Sequence, residues 1–497
     1  RSSGEPLGWR ARGAAVLVAG LAFGAALAIV DEDAKSFSAN DAANELAGDG
    51  LYDFFAANRR NDLSFERYYA TVKPSTALET VRAGFPLAHW VDPAVGGTER
   101  LVGPLAGERR LNMVLVSVES LGAEYVGAYG DTRGLTPNLD RLVKQSLWFS
   151  RVYATGNRTV RGMEALSLAL PPTPGESIVR RPNNGHLFSL GSVLEDKGYS
   201  VLFAYGGYGY FDNMNAFFDA NDYRVIDRSS IPSDKVEFEN VWGVADEHLF
   251  DQVIREIDAE KAVRPKQPVF VHVMTTSNHR PYTYPPGRID IPSPGGRLGG
   301  VKYTDYAIGR FLEQARAKPW FRDTLFVITA DHGANARGTL RIPVDKYLIP
   351  VIVYAPALVE PRRVDRLMSQ IDIAPTMLGL LHMRYYSKFF GRDILNSPPS
   401  TDRAFVANYE TLGYLKGDRL VVLHPRRKVE EFLVQKEGAD LTRLGRPEPG
   451  LEAEAISYYQ LASELYKSGR YLDEEQVPPG PGRAAAVAAI RRKEHAN

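Results

Sequence analysis

The nonapeptide LFVITADHG, Leu325–Gly333, joins a short apolar run to an acid, a histidine and a glycine. Such a run, ended by a tight turn, predicts a strand buried on both faces of a parallel sheet. A carboxylate directly after a buried strand needs a cation, a hydrogen-bond network or a helix start to offset its loss of water. Asp331 beside His332 suits Zn, Mn or Fe better than Ca. The stretch therefore predicts a pair of metal ligands at a strand end. The alternative is that Asp331 only caps a helix.

The same pattern repeats between about Leu111 and Leu395, where Val-, Ile- and Phe-rich runs are each followed by polar or glycine residues and a helical period. The clearest strands are predicted at Asn112–Val118, Tyr199–Ala204, Pro268–Met274, Thr324–Thr329 and Ile349–Tyr354. Strands that alternate with helices predict an α/β fold, with a mainly parallel sheet and helices on both faces. In such sheets ligands bind at the carboxyl ends of the strands.

Two more polar side chains follow predicted strands. Glu119 ends the run VLVSVE and is either a ligand at the same edge of the sheet or a first-turn acid of the next helix. His279 follows the run FVHVMTTSN and precedes Pro281, which favours a position in a cleft over a structural role. His272, inside that strand, is expected to pack in the core.

A candidate anion site lies in the stretch YATGNRTVRG, Tyr153–Gly162, ahead of a helical run predicted to begin at about Met163. A helix start offers free backbone N–H groups to an anion, and Arg158 and Arg161 add positive charge. A phosphate group would suit this place. From these residues alone, Thr159 is either an ordinary helix cap or a nucleophile.

The composition excludes several classes of function. Sixty basic residues balance sixty acidic ones, and no basic stripe is interleaved with aromatics, so no nucleic-acid partner is expected. The chain has no cysteine, which excludes disulfides, thiolate metal sites and a cysteine nucleophile.

Residues 1–31 are expected to anchor the chain in a membrane. Ala14–Val30 is an uncharged apolar run of 17 residues, at the short end of transmembrane helix length. Basic residues before it and acidic residues after it place the following domain outside the cell, and a cleavable signal peptide is the alternative. Beyond it, the sequence predicts a helical connector at 32–101, a catalytic α/β domain at 102–397, a small antiparallel sheet with a helix at 398–475, and a tail at 476–497.

The order of motifs across about Asn112–Leu395 resembles the lipoteichoic acid synthase-like, sulfatase-domain phosphoglycerol transferases of Gram-negative type, within the alkaline phosphatase superfamily. The resemblance is carried, in this order, by NMVLVSVESL, LTPNLDRLVKQSLWF, GNRTVRG, TTSNHRPY, FVITADHG, YLIPVIVYAP and QIDIAPTMLG. It implies an alkaline phosphatase-like fold. It also implies one divalent cation, Mn ahead of Mg or Zn, with four ligands: Glu119, Thr159, Asp331 and His332. Thr159 would take up a covalent phospho-group, and His279 would act on the substrate side.

The resemblance stops at the substrate pocket. The Asp, Trp and Arg that hold the glycerol phosphate headgroup in lipoteichoic acid synthases fall, in an ungapped alignment, on Gly207, Asp212 and Met214. A different pocket is therefore expected, and packing is the alternative role for its tyrosine. Its candidate substrate-binding residues are Arg158, Tyr205, Asn213 and His279. Asp372, in QIDIAPT, is expected to cap a helix rather than to bind a metal.

Together these features predict a metal-dependent transferase of the bacterial inner membrane whose catalytic domain faces the periplasm. It would attack a phospholipid headgroup, phosphatidylglycerol by resemblance, and pass a phosphoglycerol group from Thr159 to a glycan or other envelope polymer. Phosphoethanolamine transfer and phosphodiester or sulfate ester hydrolysis are the enzyme alternatives. A sulfatase would need Cys or Ser followed two residues later by Pro, whereas the chain has Thr159-Val160-Arg161. A non-catalytic envelope-binding protein is the alternative from another class.

Overall fold

A nine-stranded sheet forms the centre of the fold in the computed structural model, which describes residues 8–29, 63–91, 97–103, 107–334, 342–435 and 438–473. In chain order the strands are β1 (His89–Trp90), β2 (Arg100–Val102), β3 (Asn112–Val118), β4 (Leu147–Tyr153), β5 (Ser200–Tyr205), β6 (Arg224–Ile226), β7 (Glu239–Asn240), β8 (Gly243–Val244), β9 (Val269–Met274), β10 (Thr324–Ala330), β11 (Leu348–Tyr354), β12 (Arg362–Val364), β13 (Met368–Ser369), β14 (Tyr385–Ser387), β15 (Ala404–Ala407), β16 (Leu412–Lys416), β17 (Arg419–Leu423), β18 (Val429–Gln435) and β19 (Asp440–Arg443). The α-helices are α1 (Trp9–Ile29), α2 (Phe65–Tyr68), α3 (Pro74–Ala83), α4 (Pro137–Val143), α5 (Thr159–Leu168), α6 (Leu190–Asp196), α7 (Met214–Asp219), α8 (Asp246–Val263), α9 (Gly296–Arg316), α10 (Ile373–Leu380) and α11 (Pro449–Lys467).

The central sheet is mainly parallel, as the sequence predicts. Its strands lie in the order β12-β4-β11-β10-β3-β9-β5-β6, and β13 also pairs with β4. Every neighbouring pair is parallel except the two that involve β11, which runs antiparallel to β4 and β10. The strand predicted at Ile349–Tyr354 is thus present but reversed in direction, and β4 is a strand that the sequence pattern does not predict.

Both faces of the central strands are covered. All residues of β3, β9 and β10 are buried, which matches their continuous apolar sequences. Helix α8 packs along β5 and β9. It begins at the carboxyl end of β9, where the Asp246 carboxylate accepts the N–H groups of Thr276 at 2.9 Å and Ser277 at 3.0 Å. The carboxyl edge of the sheet is therefore fixed to the surrounding helices by buried hydrogen bonds.

The segment after Pro398 forms the predicted small antiparallel sheet and helix. Strands β15 to β19 pair in sequence order, and α11 packs on α3 and β17. Phe405 of this sheet and Tyr459 of α11 belong to the same hydrophobic core as the central strands. The domain boundaries stay a prediction.

Asp372 lies at the start of α10 and does not join the acids at the carboxyl edge of β3 and β10. Although it occupies the N-cap position of α10, its carboxylate makes no cap bond to that helix. It accepts the Ser369 N–H at 3.0 Å, in a capping box on the preceding turn Gln370–Asp372, and the Arg392 N–H at 3.0 Å. It also forms a buried ion pair with Arg403, at 2.8 and 2.9 Å. The positive charge of an arginine, rather than that of a metal ion, therefore offsets the burial of this carboxylate.

Helix α1 forms a separate unit by its contacts, and it covers most of the predicted anchor. Within the described residues, no helix combines the length and the apolar character needed to cross a bilayer. The connector predicted at 32–101 is described only at 63–91 and 97–101, where α2 and α3 are followed by β1 and the start of β2. The predicted tail, 476–497, lies outside the described residues.

Candidate metal centre and nucleophile

Three ligand-type side chains meet at the carboxyl ends of β3 and β10. Glu119, Asp331 and His332 are all buried, and one ligand atom from each lies within 4.8 Å of the others. The two strands are adjacent and parallel, with Ala330 paired to Val118, so the residues that follow them are neighbours in space. The sheet register therefore brings together residues more than 200 positions apart in the chain.

Hydrogen bonds orient each of these side chains. Asp331 Oδ1 accepts the N–H groups of Ser120 at 2.8 Å and His332 at 2.7 Å. Glu119 Oε1 accepts the Ser120 hydroxyl at 2.7 Å. His332 Nδ1 lies 2.7 Å from the Gly333 carbonyl, which can only accept, so Nδ1 carries the proton. The lone pair of His332 therefore sits on Nε2, 3.5 Å from Asp331 Oδ2 and 4.0 Å from Glu119 Oε1.

The electrostatics of the cluster favour the binding of a cation. Burial and the nearby Glu119 carboxylate raise the pKa of Asp331 well above its usual range. Burial alone would also raise the pKa of Glu119, but His332 and His279 bring it below its usual value. Asp331 Oδ2 is buried and has no hydrogen-bond partner in the described part of the chain. The two buried carboxylates, one of which has an unpartnered oxygen, and the imidazole lone pair form a donor set that fits a divalent cation.

Thr159 opens helix α5 beside this cluster. Its hydroxyl donates to Glu119 Oε2 at 3.2 Å. The helix starts four residues earlier than predicted, and Arg158 is its N-cap residue, without a side-chain cap bond. A Cβ on Gly162 would lie 2.3 Å from the carbonyl oxygen of Asp331, so the glycine lets α5 pack directly on the backbone of the metal-ligand strand. At the other end of α5, the Tyr471 hydroxyl donates to the Leu168 carbonyl at 2.6 Å.

The two arginines of the predicted anion site behave differently. Arg158 is exposed, and its charge helps to lower the pKa of His332, after burial, which is the largest cause. Arg161 is buried and points away, donating to Glu164 at 3.0 and 3.2 Å and to the Thr173 carbonyl at 2.7 Å. The prediction that Arg161 contributes to an anion site is therefore wrong, because its guanidinium is held by a carboxylate of its own helix.

His279 follows β9 and faces the same centre, since its charge helps to lower the pKa of Glu119. Its Nδ1 lies 3.0 Å from the Arg280 carbonyl and so carries a proton, which leaves Nε2 as the ring atom that can give or take up a proton. The Trp242 ring packs against the imidazole, with centroids 4.0 Å apart, and the indole N–H donates to the same carbonyl. The sequence alone did not single out Trp242, which arrives from the turn of the β7–β8 hairpin.

The remaining candidate residues are divided between the centre and the packing. Tyr205, at the end of β5, is buried, and burial together with the Glu119 charge raises the pKa of its hydroxyl. Asn213 donates to the Val179 carbonyl at 3.0 Å, so its amide links the segment after β5 to the backbone at Val179. His272 is fully buried against Phe203, as expected of a core residue.

Arg297, at the start of α9, is a further cation that sequence reasoning missed. Its charge helps to lower the pKa of His332, after burial, and it therefore acts on the candidate metal centre. Its Nη1 is buried and lacks a hydrogen-bond partner among the described residues. No local motif marks Arg297, because it reaches the centre from a helix far along the chain.

The departure from the headgroup pocket of lipoteichoic acid synthases has a physical basis. A Cβ on Gly207 would lie 2.2 Å from the Trp242 carbonyl oxygen, so the hairpin turn occupies the space that a larger residue would need. Asp212 lies 3.7 Å from Arg180, and Met214 is fully buried. None of the three therefore offers the side chain that holds the headgroup in that family.

A threonine hydroxyl, two carboxylates and a histidine at the carboxyl edge of a mainly parallel sheet bring together a possible nucleophile and possible ligands of a divalent cation, at the edge where such sheets bind ligands. Residues 111–383 match the sulfatase family. A protein in the alkaline phosphatase superfamily from Vibrio parahaemolyticus is 32% identical, with a TM-score of 0.77, over 83% of this chain and 100% of that one. The lipoteichoic acid synthase LtaP from Listeria monocytogenes shares the fold, with a TM-score of 0.60 at 19% identity over 73% of this chain and 93% of that one.

This chain belongs to the sulfatase family, within the alkaline phosphatase superfamily of enzymes. Among curated relatives, phosphoglycerol transferase I of Xanthomonas campestris pv. campestris is 26% identical over 316 residues, which cover 60% of this chain and 45% of the relative. Phosphoglycerol transferase I of Escherichia coli O127:H6 is 26% identical over 244 residues, covering 45% of this chain and 31% of the relative. The chain thus spans less than half the length of these relatives.

Proposed function

We propose that this chain transfers a phosphoglycerol-type group from a phospholipid headgroup to an envelope glycan or polymer, through a phospho-Thr159 intermediate. The observation that carries the proposal is the Thr159 hydroxyl, 3.2 Å from Glu119 at a helix start and beside two further ligand-type side chains. The phosphoglycerol transferases among its relatives support the nature of the group.

The residues that would hold the cation, Mn ahead of Mg or Zn, are Glu119, Thr159, Asp331 and His332. A bound divalent cation supplies positive charge that lowers the pKa of a coordinated hydroxyl and neutralises phosphoryl oxygens. Asp331 Oδ2, buried without a partner in the described chain, supports this assignment. Arg158 and Arg297 add charge from the chain itself, next to the phosphoryl group.

The chain's own residues then account for the proton transfers. Thr159 Oγ attacks phosphorus, and its proton passes to the Glu119 carboxylate to which it is hydrogen-bonded. The bond from phosphorus to the diacylglycerol oxygen breaks, and the leaving alkoxide takes the Nε2 proton of His279, which acts here in its imidazolium form. An acceptor hydroxyl next attacks the phosphorus of the glycerophospho-Thr159 ester and gives its proton to His279. The bond from phosphorus to the Thr159 oxygen breaks, and this oxygen takes back the proton held by Glu119, which restores Thr159. Tyr205 and Asn213 line the substrate side of this pocket in the proposal.

The chemistry at position 159 favours phosphoryl over sulfuryl transfer. The formylglycine of a sulfatase is made from Cys or Ser followed two residues later by Pro, and Thr159 is followed by Val160 and Arg161. A hydroxyl activated beside a carboxylate suits a phosphodiester instead. Because the donor in this proposal is a membrane lipid, we place the catalytic unit at the periplasmic face of the bacterial inner membrane.

Mass spectrometry of the purified chain after incubation with Mn²⁺ and phosphatidylglycerol tests the proposal. We expect a glycerol-phosphate adduct on Thr159 and release of diacylglycerol, both lost in Thr159→Ala. Thr155→Ala is the matched control, because the Thr155 hydroxyl points to Gln370 and the Arg161 carbonyl rather than to the cluster. An adduct from phosphatidylethanolamine alone would change the donor, and an adduct that persists in Thr159→Ala would refute the nucleophile.

A further inference from the structure

Exposed apolar side chains gather beside the candidate metal centre. From Leu63 on, the described residues include seven exposed large hydrophobic side chains: Leu87, Tyr208, Tyr210, Phe211, Val241, Val263 and Leu298. Four of these seven lie in just two places, after β5 and at the tip of the β7–β8 hairpin. Together with Trp242, these four form what we call the aromatic rim: Tyr208, Tyr210, Phe211, Val241 and Trp242. Such clustering marks an interaction surface more strongly than scattered exposure does.

The two parts of the aromatic rim form one continuous surface. The Phe211 and Trp242 rings meet edge to face with centroids 5.2 Å apart, and the Tyr208 and Tyr210 rings stack at 5.8 Å. Trp242 in turn packs on His279 at 4.0 Å. The rim therefore borders the approach to the candidate catalytic histidine.

The unpaired charge next to the rim is positive. Arg158 and Arg280 are exposed, and neither side chain forms an ion pair or hydrogen bond within the described residues. Of the neighbouring carboxylates, Glu239 bonds to Arg228 at 2.6 Å, whereas Asp212 and Glu176 share Arg180, at 3.7 and 3.4 Å. These four arginines outnumber the three carboxylates, and an apolar surface with an excess of positive charge complements an anionic, partly apolar partner.

We propose that the aromatic rim docks on the surface of a lipid bilayer that contains anionic phospholipids, and so presents the headgroup to Thr159. The docking rests on the proposed function, because it explains how a centre with a lipid donor reaches its substrate.

The composition of the rim favours a bilayer over a glycan. Its tip is Val241, an aliphatic side chain that is 83% exposed, and Tyr210 beside it is 79% exposed. Aliphatic tips flanked by Tyr and Trp are typical of membrane–water interfaces. The groups that could bind a sugar from the hairpin are already used internally. The Trp242 indole N–H donates to the Arg280 carbonyl. The Asn240 side-chain amide donates to the Thr283 hydroxyl and accepts the backbone N–H of Trp242.

The absence of cysteine permits a direct test with single-cysteine labels on the full chain. Val241→Cys carries an environment-sensitive fluorophore at the rim, and Val263→Cys is the matched control, being a valine that is 77% exposed. Val263 ends α8, about 26 Å along the helix from its start near the carboxyl edge of the sheet. With vesicles of phosphatidylglycerol and phosphatidylcholine, we expect a blue shift and quenching by nitroxide lipids at position 241 and not at 263. Equal responses at the two positions would overturn the docking.

A second variant separates docking from catalysis. Tyr210→Ser/Val241→Ser should keep its turnover of a water-soluble phosphodiester, bis(p-nitrophenyl) phosphate, within about twofold and lose about tenfold on vesicle phosphatidylglycerol. Equal retention on both substrates would overturn the docking.

The label and the turnover fail independently. A membrane signal at position 241 without turnover of any diester supports the docking and refutes the proposed function. Turnover of a diester without a membrane signal at position 241 supports the proposed function and refutes the docking. A response of the 241 label to a soluble glucan, without vesicles, would assign the rim to a polymer and overturn the bilayer proposal.

Discussion

Replacing Asp331 by Asn should stabilise the metal-free protein while removing its response to metal. The amide oxygen of the introduced asparagine can still accept the two N–H bonds that Oδ1 receives in the native chain. Its amide nitrogen would take the place of Oδ2, which has no hydrogen-bond partner in the described residues. The substitution therefore keeps the shape and the backbone bonds of the site and removes one of two buried negative charges.

The magnitude follows from the separation of the carboxylates. The ligand atoms lie within 4.8 Å of one another, and unit charges at that distance or closer repel by at least about 3.5 kcal/mol at an effective dielectric constant of about 20. A proton on Asp331 relieves part of this repulsion, so we expect a gain of about 1–3 kcal/mol at pH 7.5. Because the folded pKa of Asp331 is raised, native stability falls as pH rises from about 4 through that pKa. The gain from Asp331→Asn should be present at neutral pH and vanish below about pH 4.

Differential scanning calorimetry with and without Mn²⁺ gives the readout. For roughly 400 folded residues, 1 kcal/mol shifts Tm by about 1 °C, so metal-free Asp331→Asn should melt about 1–3 °C above the native protein. A ligand at 100 times its Kd adds about 2.7 kcal/mol, or about 3 °C, to the native protein and almost nothing to the variant. Added metal should therefore cancel or reverse the difference between the two melting temperatures.

Asp305→Asn is the control. Burial raises the pKa of Asp305 to about 6, and its carboxylate accepts the N–H groups of Asn138 and Leu139, remote from the metal centre. This variant should change stability and keep the full metal response. If Asp331→Asn keeps the metal-induced rise, Asp331 is not a ligand. If the metal-free variant melts well below the native protein, the charge-repulsion argument is wrong.

Three other perturbations test packing and charge. His272 has a pKa of about 3 because it is buried, so between about pH 6.5 and 5 only the unfolded chain binds a proton at this residue. Native stability should therefore fall by up to about 2 kcal/mol as the pH is lowered from about 6.5 to 5. Urea unfolding of His272→Gln should show a smaller fall over the same range. Arg403→Met should cost about 3–5 kcal/mol in the same assay by leaving Asp372 buried without its partner, and Asp372→Asn/Arg403→Met should recover part of it. Gly207→Ala should cost about 1–3 kcal/mol and alter tryptophan fluorescence by displacing Trp242, whereas Gly103→Ala, with nothing within 4 Å of its new Cβ, should do neither.

The sequence predicted the elements whose signal is local. The strand preceding Asp331 and the one preceding Glu119 are continuous apolar runs that end in an acid, so both strand and candidate ligand could be read together. The reversed direction of β11 could not, because a buried strand has the same apolar pattern whichever way it runs. Strand β4 was missed because Ser150 and Arg151 interrupt its apolar run.

Among the residues around Thr159, too, only those with a local signal in the sequence could be predicted. Arg161 looked like an anion ligand, yet Glu164 stands three residues on, at a spacing that pairs side chains on one helix face. That partner was visible in the sequence. Trp242 and Arg297 had no such signal, since the tertiary fold alone carries them to the centre from a hairpin and a distant helix.

The hydrogen bond from Tyr471 to Leu168 has a consequence for biosynthesis. The helix that begins at Thr159 is held at its far end by a residue made about 300 positions later. During translation, the chain would have produced every candidate ligand by residue 332 and still lack this support. We expect the far end of this helix, and with it the position of Thr159, to become fixed only after Tyr471 has left the ribosome.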